Sequence, residues 1–385
     1  MADISSKPDE TSQRSAKGQL ALERKYVMTD SVFELETQKV FANQWVYVCH
    51  ETEICESSGC HRVNSCGSHL ILVRDQSNVI RAFHNFCRHR GSALVTDQNC
   101  GSVGQRIQCP YHAWTYDRKG ELVSAPNMMD QMGFEKKEYG LKQVECSSWH
   151  GLIFIRFHHD STGDSKATES QSLDQFMAPL GQHAADWSFA ELKVTRSIEY
   201  DVAANWKLIF QNYSECYHCP TVHPALNRLT PFKGASNDID EGPILGGPMK
   251  LADDSETMSN DGMAVGAILP NLDERQKRAV AYYTVFPSII LSAHPDYVLI
   301  HRIERVSVDS TKVVCQFLFH PNSTERPEFD PGAAVEFWDL TNRQDWEVCE
   351  LAHRGITDLK YEPGPYSDLE SVVAAFDRHY RSCLS

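Results

Sequence analysis

The chain has 385 residues, a formal net charge of −15 and an apolar fraction of 41%, which are ordinary values for a globular protein with a buried core. The excess of acidic residues disfavours binding to nucleic acid and to anionic membranes. No run of about 18 apolar residues occurs, so we expect no membrane-spanning helix. The length predicts two or three domains.

Residues 1–20 are polar and lack the apolar region of a signal peptide, so we expect a disordered lead and a cytoplasmic protein. The 13 cysteines are scattered along the chain rather than framed as in a small disulfide-rich domain. In a reducing compartment most of them are expected to be buried thiols. The cysteines that lie close to a histidine need a separate explanation.

The first half of the chain predicts a helix followed by a small all-β domain. Residues 21–42 have a helical pattern, and we expect this helix to pack on the C-terminal domain. From 43 to 157, apolar runs such as HLILVRD and VIRAFHNF alternate with turn residues, and AWTYDRKGELV has the pattern of a hairpin. The polar stretch HHDSTGDSKATESQS then predicts a linker or a surface insertion.

Residues 173–385 predict a mixed domain, so the fold class is α+β. ANWKLIFQNYSECYHC has a helical pattern, whereas AYYTVFPSIILSAHP, YVLIHRIERV and KVVCQFLFHP predict consecutive strands of an antiparallel sheet. Residues 235–262 are polar and contain several Gly and Pro, so we expect a lid or a disordered flap there. Two further helices are predicted, over 330–356 and 367–381.

Two short motifs carry paired cysteine and histidine ligands. CRHRG contains Cys87 and His89, and CPYHAW contains Cys109 and His112. Thiolates and imidazoles bind zinc, and they also bind a 2Fe–2S cluster in which two histidines replace two cysteines on one iron. Structural zinc sites commonly combine a Cys pair with a His pair, whereas both motifs here run Cys then His. This order favours the cluster, with zinc as the alternative.

These motifs and the hairpin that follows them resemble the Rieske family over residues 43–155. The resemblance implies that Cys87 and Cys109 hold one iron of the cluster, while His89 and His112 hold the other. The flanking disulfide cysteines of respiratory-chain Rieske proteins have no clear counterparts in this sequence. Their absence fits the oxygenase branch of the family.

A second group of candidate metal ligands lies in NYSECYHCPTVHP. His218 and His223 are five residues apart, a spacing that would point them in different directions on a regular helix. Pro220 lies between them and is predicted to end the helix, so that His223 turns back toward His218. Sites with two histidines and one carboxylate leave positions on ferrous iron open for oxygen and substrate. A carboxylate ligand is therefore required.

Asp345 is the predicted third ligand. Helical spacing places it on an otherwise largely apolar face, where burying a carboxylate is costly unless it binds a cation. Glu347 shares its face with other charged residues and is predicted to be exposed to solvent. Asp339 is the alternative ligand.

The two sites together resemble the α subunit of Rieske non-haem iron oxygenases. The resemblance implies a helix-grip catalytic domain, one Rieske 2Fe–2S cluster and one mononuclear Fe(II). Electrons would come from NAD(P)H through a separate flavin- and iron–sulfur-containing reductase or a ferredoxin. It also implies a homotrimer in which the cluster of one subunit faces the iron of its neighbour.

Glu215 matches the position of the carboxylate that bridges cluster and iron in this family. Aromatic-ring dioxygenases mostly carry Asp there, whereas ECYHC with Glu resembles the carnitine, choline, glycine-betaine and stachydrine branch. This branch implies a monooxygenase that hydroxylates or N-demethylates a small quaternary ammonium compound. Its cationic end would lie against aromatic rings; the candidates are Phe210, Tyr213, Tyr282, Tyr283 and Phe286.

Two other functions remain open from the sequence. One is an aromatic ring-hydroxylating mono- or dioxygenase α subunit that acts on an aromatic acid or an arene. The other is an electron carrier or zinc-stabilised binding protein without turnover, which would have no need of His218, His223 or Asp345.

Overall fold

The computed structural model describes residues 18–54, 59–96, 104–128, 131–157 and 171–385. Residues 1–17 of the predicted disordered lead and 158–170 of the predicted linker lie outside these ranges. Gln19 and Leu20 are ordered, because the Gln19 side-chain amide donates to the carbonyl oxygen of Ala374 at 2.8 Å and Leu20 forms a β-bridge with Pro365. Within the described ranges, no helix has the length and apolarity needed to cross a membrane.

The N-terminal segment is two short helices rather than the one helix predicted. They are α1 (Arg24–Met28) and α2 (Asp30–Glu36), and a π-helical turn over Thr37–Phe41 follows. Thr29 separates the helices because its backbone is extended. Glu36 is fully buried and accepts a hydrogen bond from the side chain of Lys207 at 2.6 Å, which ties this segment to the C-terminal domain.

The region from 46 to 156 is all-β, as predicted. Its strands are β1 (Val46–His50), β2 (Cys60–Ser65), β3 (Ser68–Arg74), β4 (Ile80–His84), β5 (Ile107–Gln108), β6 (Thr115–Tyr116), β7 (Leu122–Ser124), β8 (Gln143–Trp149) and β9 (Leu152–Arg156). One antiparallel sheet has the order β1–β9–β8–β4–β3–β2, and a small sheet has the order β5–β6–β7. The loops that carry the Cys–His motifs follow β4 and β5.

The C-terminal domain combines a six-stranded antiparallel sheet with long helices. Its elements are α3 (Leu173–Ala184), β10 (Lys193–Val202), α4 (Trp206–Tyr213), α5 (Cys219–Val222), α6 (Pro224–Leu229), β11 (Ile244–Lys250), β12 (Ala279–Val285), β13 (Ile289–Ala293), β14 (Tyr297–Ser307), β15 (Ser310–Phe319), α7 (Pro321–Thr324), α8 (Gly332–Ile356) and α9 (Ser371–Leu384). The sheet order is β10–β15–β14–β13–β12–β11. Helix α8 contacts β10 and α4. The predicted strand run and both C-terminal helices are confirmed.

The helix predicted to continue into ECYHC is shorter than expected. Helix α4 ends at Tyr213, after which the Glu215 carboxylate accepts hydrogen bonds from the backbone N–H groups of Tyr217 and His218. The prediction that Pro220 ends this helix is wrong. Pro220 lies in the first turn of α5, where its missing N–H leaves no helical hydrogen bond unmade.

The segment 235–262, predicted to be a lid or a flap, contains the edge strand β11. Residues 235 and 239 form bridges with β11, and the N–H of Ser236 donates to the carbonyl oxygen of Pro248 at 2.9 Å. Pro248 is tolerated because β11 lies at the edge of the sheet. Gly246 has φ +132°, and a Cβ there would lie 2.1 Å from the carbonyl oxygen of Tyr282. Glycine thus allows β11 to pack closely against the backbone of β12.

Candidate metal centres and active site

The two Cys–His motifs fold into equivalent turns. The N–H of Gly91 donates to the carbonyl oxygen of Cys87 at 2.9 Å, and the N–H of Ala113 donates to that of Cys109 at 3.1 Å. Gly91 and Ala113 both have positive φ, at 73° and 59°. Two different sequences therefore form turns of the same length, with the histidine two residues after the cysteine in the first and three residues after it in the second.

The turns place the sulfur and imidazole ligands on opposite sides. Cys87 and Cys109 are buried, whereas His89 and His112 are exposed with ring centroids 4.7 Å apart. The indole of Trp114 stacks on the His89 ring at 4.9 Å with an interplanar angle of 5°, which fixes that ring. A group held here would have a covered sulfur end and a histidine end that faces outward.

The spacing of these four side chains fits a two-iron cluster better than one zinc ion. Zinc holds its ligands at about 2.0–2.3 Å, so any two ligand atoms lie within about 4 Å of each other. Among the described residues, only His218, His223 and Asp345 form a group of three ligand atoms that all lie within 4.8 Å of one another. No three of the four Cys–His residues meet that distance, as expected for ligands divided between two irons.

His218, His223 and Asp345, here called the iron centre, converge as predicted from sequence. The Nε2 atoms of His218 and His223 lie 3.3 and 2.7 Å from Oδ1 of Asp345, and the two rings are 5.2 Å apart. His223 comes from the end of α5, His218 from the turn before it and Asp345 from α8. Two imidazoles and one carboxylate that meet at a point suit ferrous iron with open positions.

A second layer of hydrogen bonds orients both histidines. Nδ1 of His218 lies 2.6 Å from Oε1 of Glu215, and Nδ1 of His223 lies 2.8 Å from Oε1 of Gln344. When each Nδ1 carries the proton and donates to these oxygens, each Nε2 is left as a free lone pair. Metal-binding histidines characteristically have such outer partners. The donor set therefore fits a metal ion.

The electrostatics of the iron centre favour positive charge. Burial disfavours the imidazolium form of His218, but hydrogen bonds to Asp345 and Glu215 outweigh burial and raise its pKa to about 10. Burial opposes ionisation of Asp345, yet its hydrogen bonds to both histidines lower its pKa. These shifts indicate a site that favours positive charge, which a metal ion would supply in place of a proton.

The alternative ligand Asp339 lies outside this group. Its carboxylate accepts hydrogen bonds from the hydroxyl of Tyr200 at 2.8 Å and from the guanidinium of Arg343 at 3.0 Å. Glu347 is exposed, as predicted.

A cavity of about 220 Å³ opens beside the iron centre. Two of the five aromatic candidates, Tyr213 and Tyr282, line it, with ring centroids 6.0 Å apart at 68°. Phe210, Tyr283 and Phe286 are instead buried in the core, away from the cavity wall. The cavity therefore presents two aromatic rings, set at a steep angle, close to the candidate iron ligands.

Sequence reasoning missed three residues of the sites. The Tyr116 hydroxyl lies 3.4 Å from the sulfur of Cys87, where a hydrogen bond would tune a cluster's potential. Trp338 lines the cavity, and Gln344 orients His223. Both Gln344 and Trp338 could have been found from Asp345, since Gln344 is its chain neighbour and Trp338 lies two helical turns before it on the same face, whereas Tyr116 has no signal beyond an ordinary core aromatic.

Comparison with known families agrees with this geometry. Residues 44–145 match the Rieske [2Fe-2S] domain, and residues 189–385 match the ring hydroxylating alpha subunit (catalytic domain). The chain belongs to the ring-hydroxylating α-subunit family. This α subunit is an oxidoreductase with a Rieske 2Fe–2S cluster and a mononuclear non-haem iron as its cofactors.

Curated relatives of this α subunit include quaternary-ammonium monooxygenases. The glycine betaine monooxygenase oxygenase subunit of Chromohalobacter salexigens is 29% identical over 92% of this chain and 83% of its own length. The carnitine monooxygenase oxygenase subunit of Acinetobacter pittii is 32% identical over 52% of this chain and 51% of its own length. The chloroplastic choline monooxygenase of Arabidopsis thaliana is 23% identical over 91% and 79%.

Solved structures share the fold. The quaternary ammonium Rieske monooxygenase CntA in complex with L-carnitine is 21% identical, has a TM-score of 0.73 and covers 95% of each chain. Naphthalene 1,2-dioxygenase from Rhodococcus sp. is 18% identical, with a TM-score of 0.73 and 94% coverage of each chain. The predicted α+β fold class, with a Rieske domain and a larger catalytic domain of helices and an antiparallel sheet, is therefore confirmed.

Proposed function

We propose that this α subunit is the oxygenase component of a monooxygenase that hydroxylates an N-methyl group of a small quaternary ammonium compound. The observation that carries the proposal is the pair of rings, Tyr213 and Tyr282, on the wall of the cavity beside the iron centre. Aromatic faces attract a quaternary ammonium, which has no N–H to donate and is poorly served by polar partners alone. The relatives named for glycine betaine and carnitine support the same substrate class.

The size and charge of the cavity also suit such a substrate. Its volume of about 220 Å³ lies below the range of about 300–1,000 Å³ usual for drug-sized ligands. Glu215 and Asp368 line it in addition to the carboxylate proposed for the iron, so the wall carries acidic groups beyond the metal ligands. The Tyr213 hydroxyl donates to the carbonyl oxygen of Leu291 at 2.5 Å, which holds its ring in place.

We propose that Cys87, Cys109, His89 and His112 hold the cluster, and that His218, His223 and Asp345 hold the iron. When bound, the cluster supplies single electrons and the iron supplies a site for dioxygen activation. The residues of this chain orient the N-methyl group, exclude competing polar ligands and fix the imidazole tautomers. Hydroxylation of an N-methyl group gives a hemiaminal, which collapses to formaldehyde and the demethylated amine.

Turnover tests the substrate class directly. We expect the purified protein, supplied with a surrogate reductase and NADH, to release formaldehyde from glycine betaine, stachydrine or carnitine in proportion to NADH oxidised. Asp345→Ala should abolish release while the cluster absorption remains. Oxidation of arenes alone, with no formaldehyde from any quaternary amine, would contradict the proposal.

We further propose a homotrimer in which the cluster of one subunit delivers electrons to the iron of its neighbour through Glu215. Support comes from the exposure of His89 and His112 and from the hydrogen bond of Glu215 to the His218 ring. One solved structure of CntA is described as giving insights into inter-subunit electron transfer. Electrons would enter from a separate reductase or ferredoxin.

Mixed trimers test this arrangement. A cluster variant, His89→Ala, and an iron variant, Asp345→Ala, should each be inactive alone. Co-expressed in one trimer, they should recover part of the activity, because intact clusters then face intact irons across interfaces. A monomer by analytical ultracentrifugation, or absence of recovery in trimers, would refute it.

The cytoplasmic location and the domain bounds 21–42, 43–157 and 173–385 remain predictions.

A further inference from the structure

One lysine side chain lies on the cavity wall. Lys233 lies in the turn Phe232–Gly234 that follows α6, and it is the only lysine or arginine among the described residues that line the cavity. It is exposed, and its ammonium lies 5.6 Å from the centroid of the Phe232 ring. The acids Glu215 and Asp368 share the wall and disfavour an anionic ligand group close to them, whereas Lys233 favours one.

The same wall contains a buried hydroxyl without a hydrogen bond. Among the described residues, no partner of good geometry reaches the Tyr282 hydroxyl oxygen, although that atom is buried. Thr230 is the polar neighbour of this hydroxyl: it lowers the pKa of Tyr282 against the larger effect of burial, and its own hydroxyl donates to the carbonyl oxygen of Leu226 at 3.3 Å. Burial raises the pKa of Tyr282, so its hydroxyl stays a neutral donor. A buried donor left unbonded is costly, and a ligand acceptor in the cavity would satisfy it.

The sheet brings these two groups to one wall. Tyr282 on β12 lies opposite Gly247 on β11, and Ala235, two residues after Lys233, bridges to Met249 on the other edge of β11. Adjacent strands are about 4.8 Å apart, so the two backbones are about 10 Å apart across β11. The side chains of both residues line the cavity from there. A lysine ammonium and a phenolic hydroxyl on one wall can bind the two oxygens of a carboxylate.

We propose that Lys233 and the Tyr282 hydroxyl bind the carboxylate of a zwitterionic quaternary ammonium substrate, a betaine. The inference rests on the proposed function, in which the rings of Tyr213 and Tyr282 bind the cationic end. It makes Lys233 and Tyr282 specificity-determining residues, which favour betaines over quaternary amines that lack a carboxylate. It therefore narrows the substrate class from quaternary amines in general to amino-acid betaines.

Equilibrium binding separates the two ends of the substrate. Isothermal titration calorimetry would compare glycine betaine with tetramethylammonium, which has the cationic end alone. Lys233→Ala and Tyr282→Phe should each weaken glycine betaine binding about five- to tenfold, the loss expected for one hydrogen bond to a charged group. Their affinity for tetramethylammonium should stay within about twofold of wild type. Kinetics should follow, with KM for glycine betaine raised and kcat nearly unchanged.

Lys250→Ala is the matched control. Lys250 lies against Gly234 but does not line the cavity, so its loss changes the net charge nearby without removing a proposed contact. Equal loss of glycine betaine affinity in Lys233→Ala and Lys250→Ala would overturn the inference, because only the general field would then matter. Unchanged affinity in both Lys233→Ala and Tyr282→Phe would also overturn it. Wild-type protein that binds neither ligand would overturn the proposed function and this inference with it.

Discussion

Removing the amide that orients His223 should weaken metal binding at the iron centre. In Gln344→Leu, the Nδ1–H of His223 loses an acceptor at 2.8 Å, in a ring that is only 2% exposed. Water cannot easily replace the lost partner, so the buried donor costs about 1–3 kcal/mol. The ring can also rotate or change tautomer, which would remove the Nε2 lone pair that faces Asp345.

The magnitude follows from that energy. A cost of about 1–3 kcal/mol corresponds to a loss of about five- to 150-fold in affinity for iron. This range agrees with the loss of roughly 10- to 100-fold in metal affinity that is typical when an outer hydrogen-bond partner of a metal ligand is removed. Anaerobic titration of iron-depleted protein with ferrous iron, in competition with a chromogenic chelator, measures it. Gln344→Glu, which keeps an acceptor oxygen, should bind iron at least as tightly as wild type.

Glu347→Leu serves as the control, because Glu347 is on the same helix but exposed. It should change iron affinity less than about twofold, as expected for an exposed site. Wild-type affinity in Gln344→Leu, with an unchanged urea midpoint, would refute the argument that the hydrogen bond to His223 supports the metal.

Three further predictions concern transfer, stability and pH. Glu215→Gln should keep both metals but slow single-turnover electron transfer by about tenfold or more, and a wild-type rate would exclude a bridging role. Lys207→Met should lower the free energy of unfolding in urea by about 3–5 kcal/mol, since it leaves the carboxylate of Glu36 buried without its closest cation, 2.6 Å away; Glu36→Gln in the same chain should recover much of this loss. Burial raises the pKa of Asp296 to about 6. Its folded form then binds the proton more tightly than its unfolded form, so its contribution to stability is full below about pH 4 and falls by about 3 kcal/mol as the pH rises to about 6. The difference in unfolding free energy between wild type and Asp296→Asn should show this slope, and a flat difference would contradict it.

Both candidate metal sites could be predicted from the sequence because the types and the local surroundings of their proposed ligands are visible in it. Cys87 and His89 lie in one turn. Asp345 lies on an apolar helix face, where a buried carboxylate is costly unless it binds a cation. The consecutive antiparallel strands β12 to β15 also followed from the short connections between apolar runs. These features depend on residue type and spacing within a few turns of chain, which a single sequence displays directly.

Two other features were not predicted correctly, the first for a local reason and the second because it depends on contacts between distant segments. The helix through ECYHC was predicted too long because its end is set by the Glu215 carboxylate, which captures the backbone N–H groups that would otherwise continue the helix. Strand β11 was not predicted because its sequence is rich in Gly and Pro, which usually indicate turns. The glycines there are needed because the backbone of β12 packs closely against β11. Secondary-structure propensity depends on the local sequence, so it cannot predict packing against a strand that is 30 or more residues away along the chain.

The sequence by itself indicated two kinds of metal site and candidate ligands for each. The Cys–His motifs and the segment with His218 and His223 are short patterns of donor atoms, and Asp345 was added from its place on an apolar helix face. Only the tertiary structure decided which aromatic rings face the cavity, that Gln344 orients His223, and that Lys233 and the Tyr282 hydroxyl lie on one wall. Each of these is a matter of direction, and the direction of a side chain is fixed by packing across the sheet and between helices that meet only in the folded protein.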